Sequence, residues 1–170
     1  MKLFDGDDEL FKNLVKKSNI YFEYGCGRST EYVYENTNCK IFSVDTSLDW
    51  INKIKNKEKK EENRLNLTWI DVGKTGDWGY PLSYQKRENF SKYANHFWML
   101  KLNPDLVLVD GRFRVFCFLM TLKYASEGTK VLFDDYTNRP YYHVAEEYLP
   151  IREKCGRQVL FEITEQSKKN

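Results

Sequence analysis

The sequence predicts an α/β fold in which one doubly wound, mostly parallel sheet carries helices on both faces. Three observations point there. Residues 19–45 read as strand, glycine turn, helix and second strand, which is one βαβ unit. Residues 105–109, D-L-V-L-V, form a near-continuous apolar run, the pattern of a central parallel strand covered on both faces. The acids Asp45, Asp71, Asp110, Asp134 and Asp135 each follow a predicted strand, at the edge of the sheet where ligands gather in such folds.

Each element has its own signal. Residues 7–17 begin with acids, end with lysines and place Leu10, Phe11, Leu14 and Val15 at helical spacing, so both period and dipole predict a helix. Strands are expected at 20–24 and 40–44, with a helix opening at Ser29 and Thr30 between them. Residues 47–56 carry Leu48, Ile51 and Ile54 at helical spacing, and the mixed run K-N-K-E-K-K-E-E-N at 55–63 reads as a solvated helix end. A third strand is expected at 65–70. Residues 71–82, D-V-G-K-T-G-D-W-G-Y-P-L, hold three glycines and a proline and predict a long loop. A helix follows at 88–102, with His96 as a packing residue, until Pro104 ends it. After the central strand, 115–127 predicts a helix, 130–133 a fifth strand, and 140–149 a helix opened by Pro140. The last strand is expected at 158–163, which leaves the sheet one C-terminal strand short of seven or the chain a domain of a longer protein.

Composition bounds the rest. A chain of 170 residues that is 41% hydrophobic supports a single domain with a real core. We expect residues 1–18 as an N-terminal helix, 19–164 as the core and 165–170 as a polar tail. The net charge of +2 gives no electrostatic case for nucleic acid or a membrane surface. Cys26, Cys39, Cys117 and Cys155 show no metal-ligand spacing, and together with the absence of an apolar leader or a membrane-length run they predict reduced thiols in a cytoplasmic protein. Oligomeric state is not legible.

The turn at 25–28 carries the first chemistry. Gly25 and Gly27 permit a sharp turn and close approach of a ligand, and the helix behind them offers unpaired N–H groups. Asp45 is placed to hydrogen-bond a ribose. A dinucleotide fingerprint would have a third glycine at position 30, where Thr30 stands, and no P-loop is present. The pattern of Glu23, Gly25, Gly27 and Ser29, with Asp45 after the next strand, resembles motifs I and II of class I S-adenosylmethionine-dependent methyltransferases, which are Rossmann-like. That resemblance implies S-adenosylmethionine as cofactor, bound around Glu23, Gly25, Cys26, Gly27, Ser29, Thr30 and Asp45, with Asp71 near the adenine.

The second constellation is acidic. Asp110 and the pair Asp134 and Asp135 follow neighbouring strands and should converge. Two like charges about 4 Å apart repel by roughly 1 to 4 kcal/mol at the dielectrics of water and protein surface. Such a group needs a raised pKa, arginines or a cation, and Arg112, Arg114 and Arg139 compete with Mg²⁺ or Mn²⁺ for that role. The spacing is similar to metal-dependent O-methyltransferases of the catechol and caffeoyl-coenzyme A type, with Asp135 where that family has Asn. This implies Asp110, Asp134 and Asp135 as metal ligands, provided the strand ends at Asp134, because alternation otherwise points the adjacent acids apart.

The expected activity is O-methyl transfer to a hydroxyl of a small molecule. Asp110, Asp135 or His143 would handle the proton, with Trp78, Tyr80, Arg112 and Arg139 around the acceptor. The stretches V-D-G-R-F-R-V and F-D-D-Y-T-N-R-P, with the 71–82 loop, look similar to small methyltransferase-like proteins associated with glycan synthesis, which implies a sugar acceptor. A nucleotide-dependent oxidoreductase and a non-catalytic binding module of the same fold are the rival readings. A thermal-shift comparison of S-adenosylmethionine with NAD separates them.

Overall fold

The computed structural model describes residues 2–57 and 63–168. The centre of the charged run at 55–63 therefore lies outside the described residues, as does the end of the expected tail. The described elements are α1 (Glu9–Val15), β1 (Ile20–Tyr24), α2 (Arg28–Asn36), β2 (Lys40–Asp45), α3 (Leu48–Lys57), β3 (Leu65–Trp69), α4 (Glu88–Asn95), β4 (Leu106–Val109), α5 (Arg114–Tyr124), β5 (Lys130–Phe133), β6 (Glu153–Cys155) and β7 (Gln158–Glu162). Short 3-10 turns lie at Asp77–Gly79, His96–Leu100, Pro140–Glu147 and Gln166–Lys168.

The strand order is β3-β2-β1-β4-β5-β7-β6. β1 to β5 run parallel and β7 enters antiparallel between β5 and β6. The sheet thus has seven strands, not six. β6, the strand the sequence reading left out, is a short polar segment joined to β7 by the two-residue turn Gly156-Arg157. Gly156 there has φ +58, which a tight hairpin favours.

Strand alternation divides the core between two faces. Phe22, Tyr24, Val107, Val109, Val131 and Phe133 pack with Tyr93 of α4, Phe118 of α5 and Phe97 of the 3-10 turn after α4. Tyr21, Ile41, Leu106, Leu108 and Leu132 face the other way, onto Phe11, Val15 and Val33 of α1 and α2. All four residues of β4 are fully buried, as its unbroken apolar run predicts. The chain winds out from β1 through β2 to β3, then returns to place β4 against the opposite edge of β1. That switch point opens at the carboxyl ends of β1 and β4, and the candidate site lies there.

The predicted helix at 88–102 is shorter. α4 stops at Asn95, and the chain continues as a 3-10 turn to Leu100 before Lys101 adopts φ +54. Burial of Phe97 in the core holds this tight turn in place of a regular last helical turn. The 140–149 segment is likewise a 3-10 turn, Pro140–Glu147, with Ala145 buried.

Glu23 is the one carboxylate in the middle of β1, and it faces the α1/α2 layer with no exposure. Burial raises it from 4.5 to about 7, against hydrogen bonds from Ser29, Thr30 and Tyr21 that hold it down. The folded chain therefore keeps the proton between those two values while the unfolded chain releases it. The stability contributed by this group is complete below 4.5 and is lost as pH rises through 7. The expected loss is about 3 kcal/mol at 1.36 kcal/mol per pH unit. Urea denaturation at about pH 5 and about pH 8 should show Glu23→Gln with a flatter pH dependence than the native chain by an amount of that order. Parallel pH profiles would refute it.

Candidate active site

The cofactor half is built on the turn after β1. Gly25 has φ +95, and its N–H continues the ladder to the Val44 carbonyl at 2.8 Å. A Cβ on Gly25 would lie 2.7 Å from the Cα of Gly111, so only glycine fits. Gly111 reciprocates: a Cβ there would strike the Tyr93 hydroxyl and stand 2.8 Å from the Gly25 nitrogen. The turns after β1 and β4 are therefore in backbone contact.

Gly27 differs. Its backbone is extended, and a Cβ built on it meets nothing within 4 Å, so this residue faces an open cradle. Behind it α2 begins. The first-turn amides of Arg28 and Ser29 have no acceptor among the described residues, while Thr30 Oγ1 accepts from the Gly27 N–H at 2.9 Å and donates to Glu23 at 2.5 Å. The cradle and the free amides form a concave set of donors at the opening of α2, with Glu23 buried beneath it.

The sequence-predicted cofactor residues fall into two groups. Gly25, Gly27 and the α2 opening line the turn. Glu23, Ser29 and Thr30 brace it from beneath, through side-chain bonds among themselves. Cys26 turns its thiol toward Ile51 and Ile54, so it contributes its backbone N–H, which donates to Asp45 Oδ2 at 2.8 Å. Asp45 also accepts from the Ser47 N–H at 2.6 Å. Burial raises its pKa, opposed by these amides and by the nearby charge of Arg112.

At the far edge Asp71 pairs with Lys86 and caps the Gly73 N–H at 2.9 Å. The 71–82 loop closes on itself through Gly76 N–H to the Tyr80 carbonyl and Leu82 N–H to the Lys74 carbonyl, both at 2.8 Å. Thr46 pins it to the end of β2 by donating to the Gly79 carbonyl at 2.7 Å. Trp78, at φ +56 and 74% exposed, stacks on Trp50 with ring centroids 6.4 Å apart.

The acids converge as the spacing predicts, though β5 ends one residue earlier than the metal reading asked. β5 stops at Phe133, and Asp135 adopts φ +55, which turns its side chain back beside Asp134. One carboxylate oxygen from each of Asp110, Asp134 and Asp135 lies within 4.8 Å of the others. Arg114, only 5% exposed, sits among them. Its Nη2 stands 3.0 Å from Asp110 and 3.3 Å from Asp135, its Nη1 donates to the Asp134 carbonyl, and its Nε donates to the Gly111 carbonyl at 3.1 Å. Arg139 reaches Asp135 at 2.7 Å, Arg157 reaches it at 3.4 Å, and the Gln158 amide donates to Asp134 at 2.9 Å.

Three guanidinium groups face three carboxylates, and Arg114 Nη2 stands 3.0 Å from an Asp110 oxygen and 3.3 Å from an Asp135 oxygen. As arranged, these residues do not fit Mg²⁺ or Mn²⁺, which want an open set of oxygens at close range with no cation among them. Asp135, held by three arginines, is a structural pivot. Asp110 is the exposed member, its side chain 28% accessible. Burial pushes its pKa well up, Arg114 opposes, and Asp134 and Asp135 add to the rise. Asp134 is raised too, chiefly by burial, with the charge of Asp135 adding to the rise and the Gln158 amide and Arg114 opposing it.

His143 is exposed. Its ring stacks on Tyr136, and Nε2 lies 3.2 Å from the Tyr136 carbonyl, with no hydrogen bond or ion pair to the three acids among the described contacts. Arg139, expected at the acceptor, is drawn into the acid cluster.

Beyond Gly111 lies a cavity of about 380 Å³ walled by Tyr80, Tyr84, Phe90, Phe113, Phe116 and Tyr142, with Arg112 and Arg114 also on its lining. Tyr80 and Arg112 were legible in the sequence; Trp78 is not part of this wall. Phe113 was missed because it reaches the wall through a left-handed backbone, φ +54, just before α5, and Tyr142 because nothing in its local pattern reports which loop it meets.

No protein-family model and no curated protein sequence matches the chain. Among solved structures, a methyltransferase-like protein from Silicibacter pomeroyi is 32% identical over 96% of this chain and 88% of its own, with a TM-score of 0.88. The N-methyltransferase NodS from Bradyrhizobium japonicum bound to S-adenosylhomocysteine matches at 14% identity, covering 92% of this chain and 85% of its own at TM-score 0.58. The TDP-rhamnose 3'-O-methyltransferase CalS11 of calicheamicin biosynthesis matches at 17% identity, 91% and 76% coverage and TM-score 0.55. The last two show a shared fold; the first, at its identity and coverage, shows kinship, and with the glycine turn, the strand order and the cradle described above, the chain belongs to the class I S-adenosylmethionine-dependent methyltransferase family.

Proposed function

We propose that this protein transfers the methyl group of S-adenosylmethionine to a hydroxyl oxygen of a small molecule, with a sugar or glycan as acceptor, and that residues 1–170 act as a single domain. The observation that carries this reading is the adjacency of the two half-sites. Asp110, whose N–H bonds the Tyr24 carbonyl at 3.1 Å, stands one residue from Gly111, and Gly111 touches Gly25 of the cofactor turn. A carboxyl group with a raised pKa is thus held at the seam between cradle and cavity.

Bound in the cradle, S-adenosylmethionine supplies an electrophilic methyl group whose bond to sulfur breaks with both electrons going to sulfur. The protein's own part is positioning and proton handling. Gly25, Gly27 and the α2 amides seat the cofactor, Asp45 faces its ribose, and the cavity wall holds the acceptor against them. Asp110 accepts the hydroxyl proton as the oxygen forms its bond to carbon. Asp134, buried and accepting from the Gln158 amide, adds to the rise in the pKa of Asp110, which makes ionised Asp110 a stronger base. The aromatic wall suits the C–H face of a sugar ring. The four unpaired cysteines support a cytoplasmic setting. No described helix is long and apolar enough to cross a membrane.

A non-catalytic module would retain the cradle without depending on Asp110, and the variants separate the two. In Gly27→Val the side chain points into the cradle. We expect apo stability within about 1 kcal/mol of the native chain and loss of the stabilisation, about 2.7 kcal/mol at a ligand concentration one hundred times its dissociation constant, that S-adenosylhomocysteine gives the native protein. Differential scanning fluorimetry with and without this ligand decides it; an undiminished shift in the variant would displace the cofactor from the cradle. For the chemistry, Asp110→Asn should lower kcat by roughly 10²- to 10⁴-fold with little change in cofactor binding. The native rate should be unaffected by EDTA. Full turnover by the variant would remove Asp110 as the base, and loss of activity in EDTA would restore the metal.

A further inference from the structure

The cavity beside α5 has a chemical bias that acceptor methylation alone does not require. Its lining includes two arginines and no carboxylate, in a chain with 25 acidic residues and with three of them clustered just behind Arg114. Arg114 is engaged by those acids and carbonyls. Arg112 is not held in this way: its Nε is buried with no hydrogen-bond partner. α5 opens on the same wall. It has no acidic residue in its first turn, its N-cap Phe113 offers no side-chain bond, and the amides of Arg114 and Val115 have no acceptor among the described residues. Arg112, which has no ion pair among the described residues, the opening of α5 and an acid-free lining share one concave space of about 380 Å³, within the range of small-molecule sites.

We propose that this cavity binds its acceptor as a phosphate ester, such as a sugar phosphate. The phosphoryl oxygens are held by Arg112 and the opening amides of α5, and the sugar lies along Tyr80 and Phe113. An aromatic wall alone would take a neutral glycoside equally well. An arginine and helix-opening amides with no carboxylate among them favour an anion with several oxygens in different directions over a neutral group, and phosphate supplies one. Arg112 also lies close enough to Asp45 for its charge to act there, so the anchor of the acceptor stands between the two half-sites.

This proposal rests on the cavity being the acceptor side of the methyl-transfer site, and the test keeps the two readings apart. Titration calorimetry on the full chain would first measure S-adenosylhomocysteine alone. It would then measure inorganic phosphate, glucose 1-phosphate and methyl glucoside, each with and without that ligand. The expected result is binding of both phosphate compounds, weakened by salt and at least about tenfold tighter for glucose 1-phosphate than for methyl glucoside. Arg112→Ala should abolish that preference and Arg112→Lys should keep part of it. Val115→Asp, a substitution that a helix N-terminus tolerates well, should abolish it while leaving the fold intact. Phosphate binding without S-adenosylhomocysteine binding would sink the methyl-transfer reading and leave the anion pocket standing. Cofactor binding with no detectable binding of either phosphate compound, with equal or tighter binding of the neutral glycoside, or with a preference indifferent to Arg112→Ala and Val115→Asp would overturn the proposal.

Discussion

The site depends on one constraint, the backbone contact between Gly25 and Gly111 at the switch point of the sheet. β1 and β4 are parallel neighbours in register, so the turns that leave them must pass each other within the width of one strand spacing. Side chains at these two positions would push the turns apart. Two glycines let them touch, and the Tyr93 hydroxyl, from α4 beneath, closes the remaining space and lies 3.4 Å from the Arg112 N–H. The spacing between the Gly25–Gly27 turn and Asp110 is thereby set by main chain, the least deformable part of the protein.

The three acids stand among guanidinium groups drawn from distant parts of the chain. Arg114 is the first residue of α5 and is almost wholly buried, yet none of its cost of desolvation is left uncompensated: two carboxylates and two carbonyls surround it. Asp135 collects the charges of three arginines, drawn from α5, from the turn at Arg139 and from the β6–β7 hairpin. That leaves Asp110, with a side chain 28% accessible against 15% for Asp135, as the most open of the three carboxyl groups.

Much of this was legible because it is local. Gly25, Gly27 and Asp45 announce themselves by spacing within one βαβ unit, and the apolar run at 106–109 can only be a covered strand. The convergence of Asp110 with Asp134 follows from the adjacency of β4 and β5, itself a consequence of topology rules. What escaped was non-local or conformational. β6 is three residues long, and its polar sequence carries no alternation to read. Asp135 shares the site with Asp134 only because its backbone is left-handed, which no pattern in F-D-D-Y reveals. Arg157 and Gln158 come to the acids through the antiparallel insertion of β7, while Arg139, read from the sequence both as an acceptor residue and as a counter-charge to the acids, pairs with Asp135.

The sequence by itself determined the fold class, the cofactor turn and the presence of an acid at the end of each parallel strand, because hydrophobic period and glycine spacing act over a few residues. Tertiary structure alone decided what those acids do. Whether Asp110, Asp134 and Asp135 hold an ion or a set of arginines depends on which cations arrive from α5 and the last hairpin, and charge interactions are settled by distances of a few ångströms between groups far apart in the chain. The same holds for the glycine turn after β1. Its glycines were readable, but that Gly25 must be glycine because Gly111 stands against it is a fact of packing.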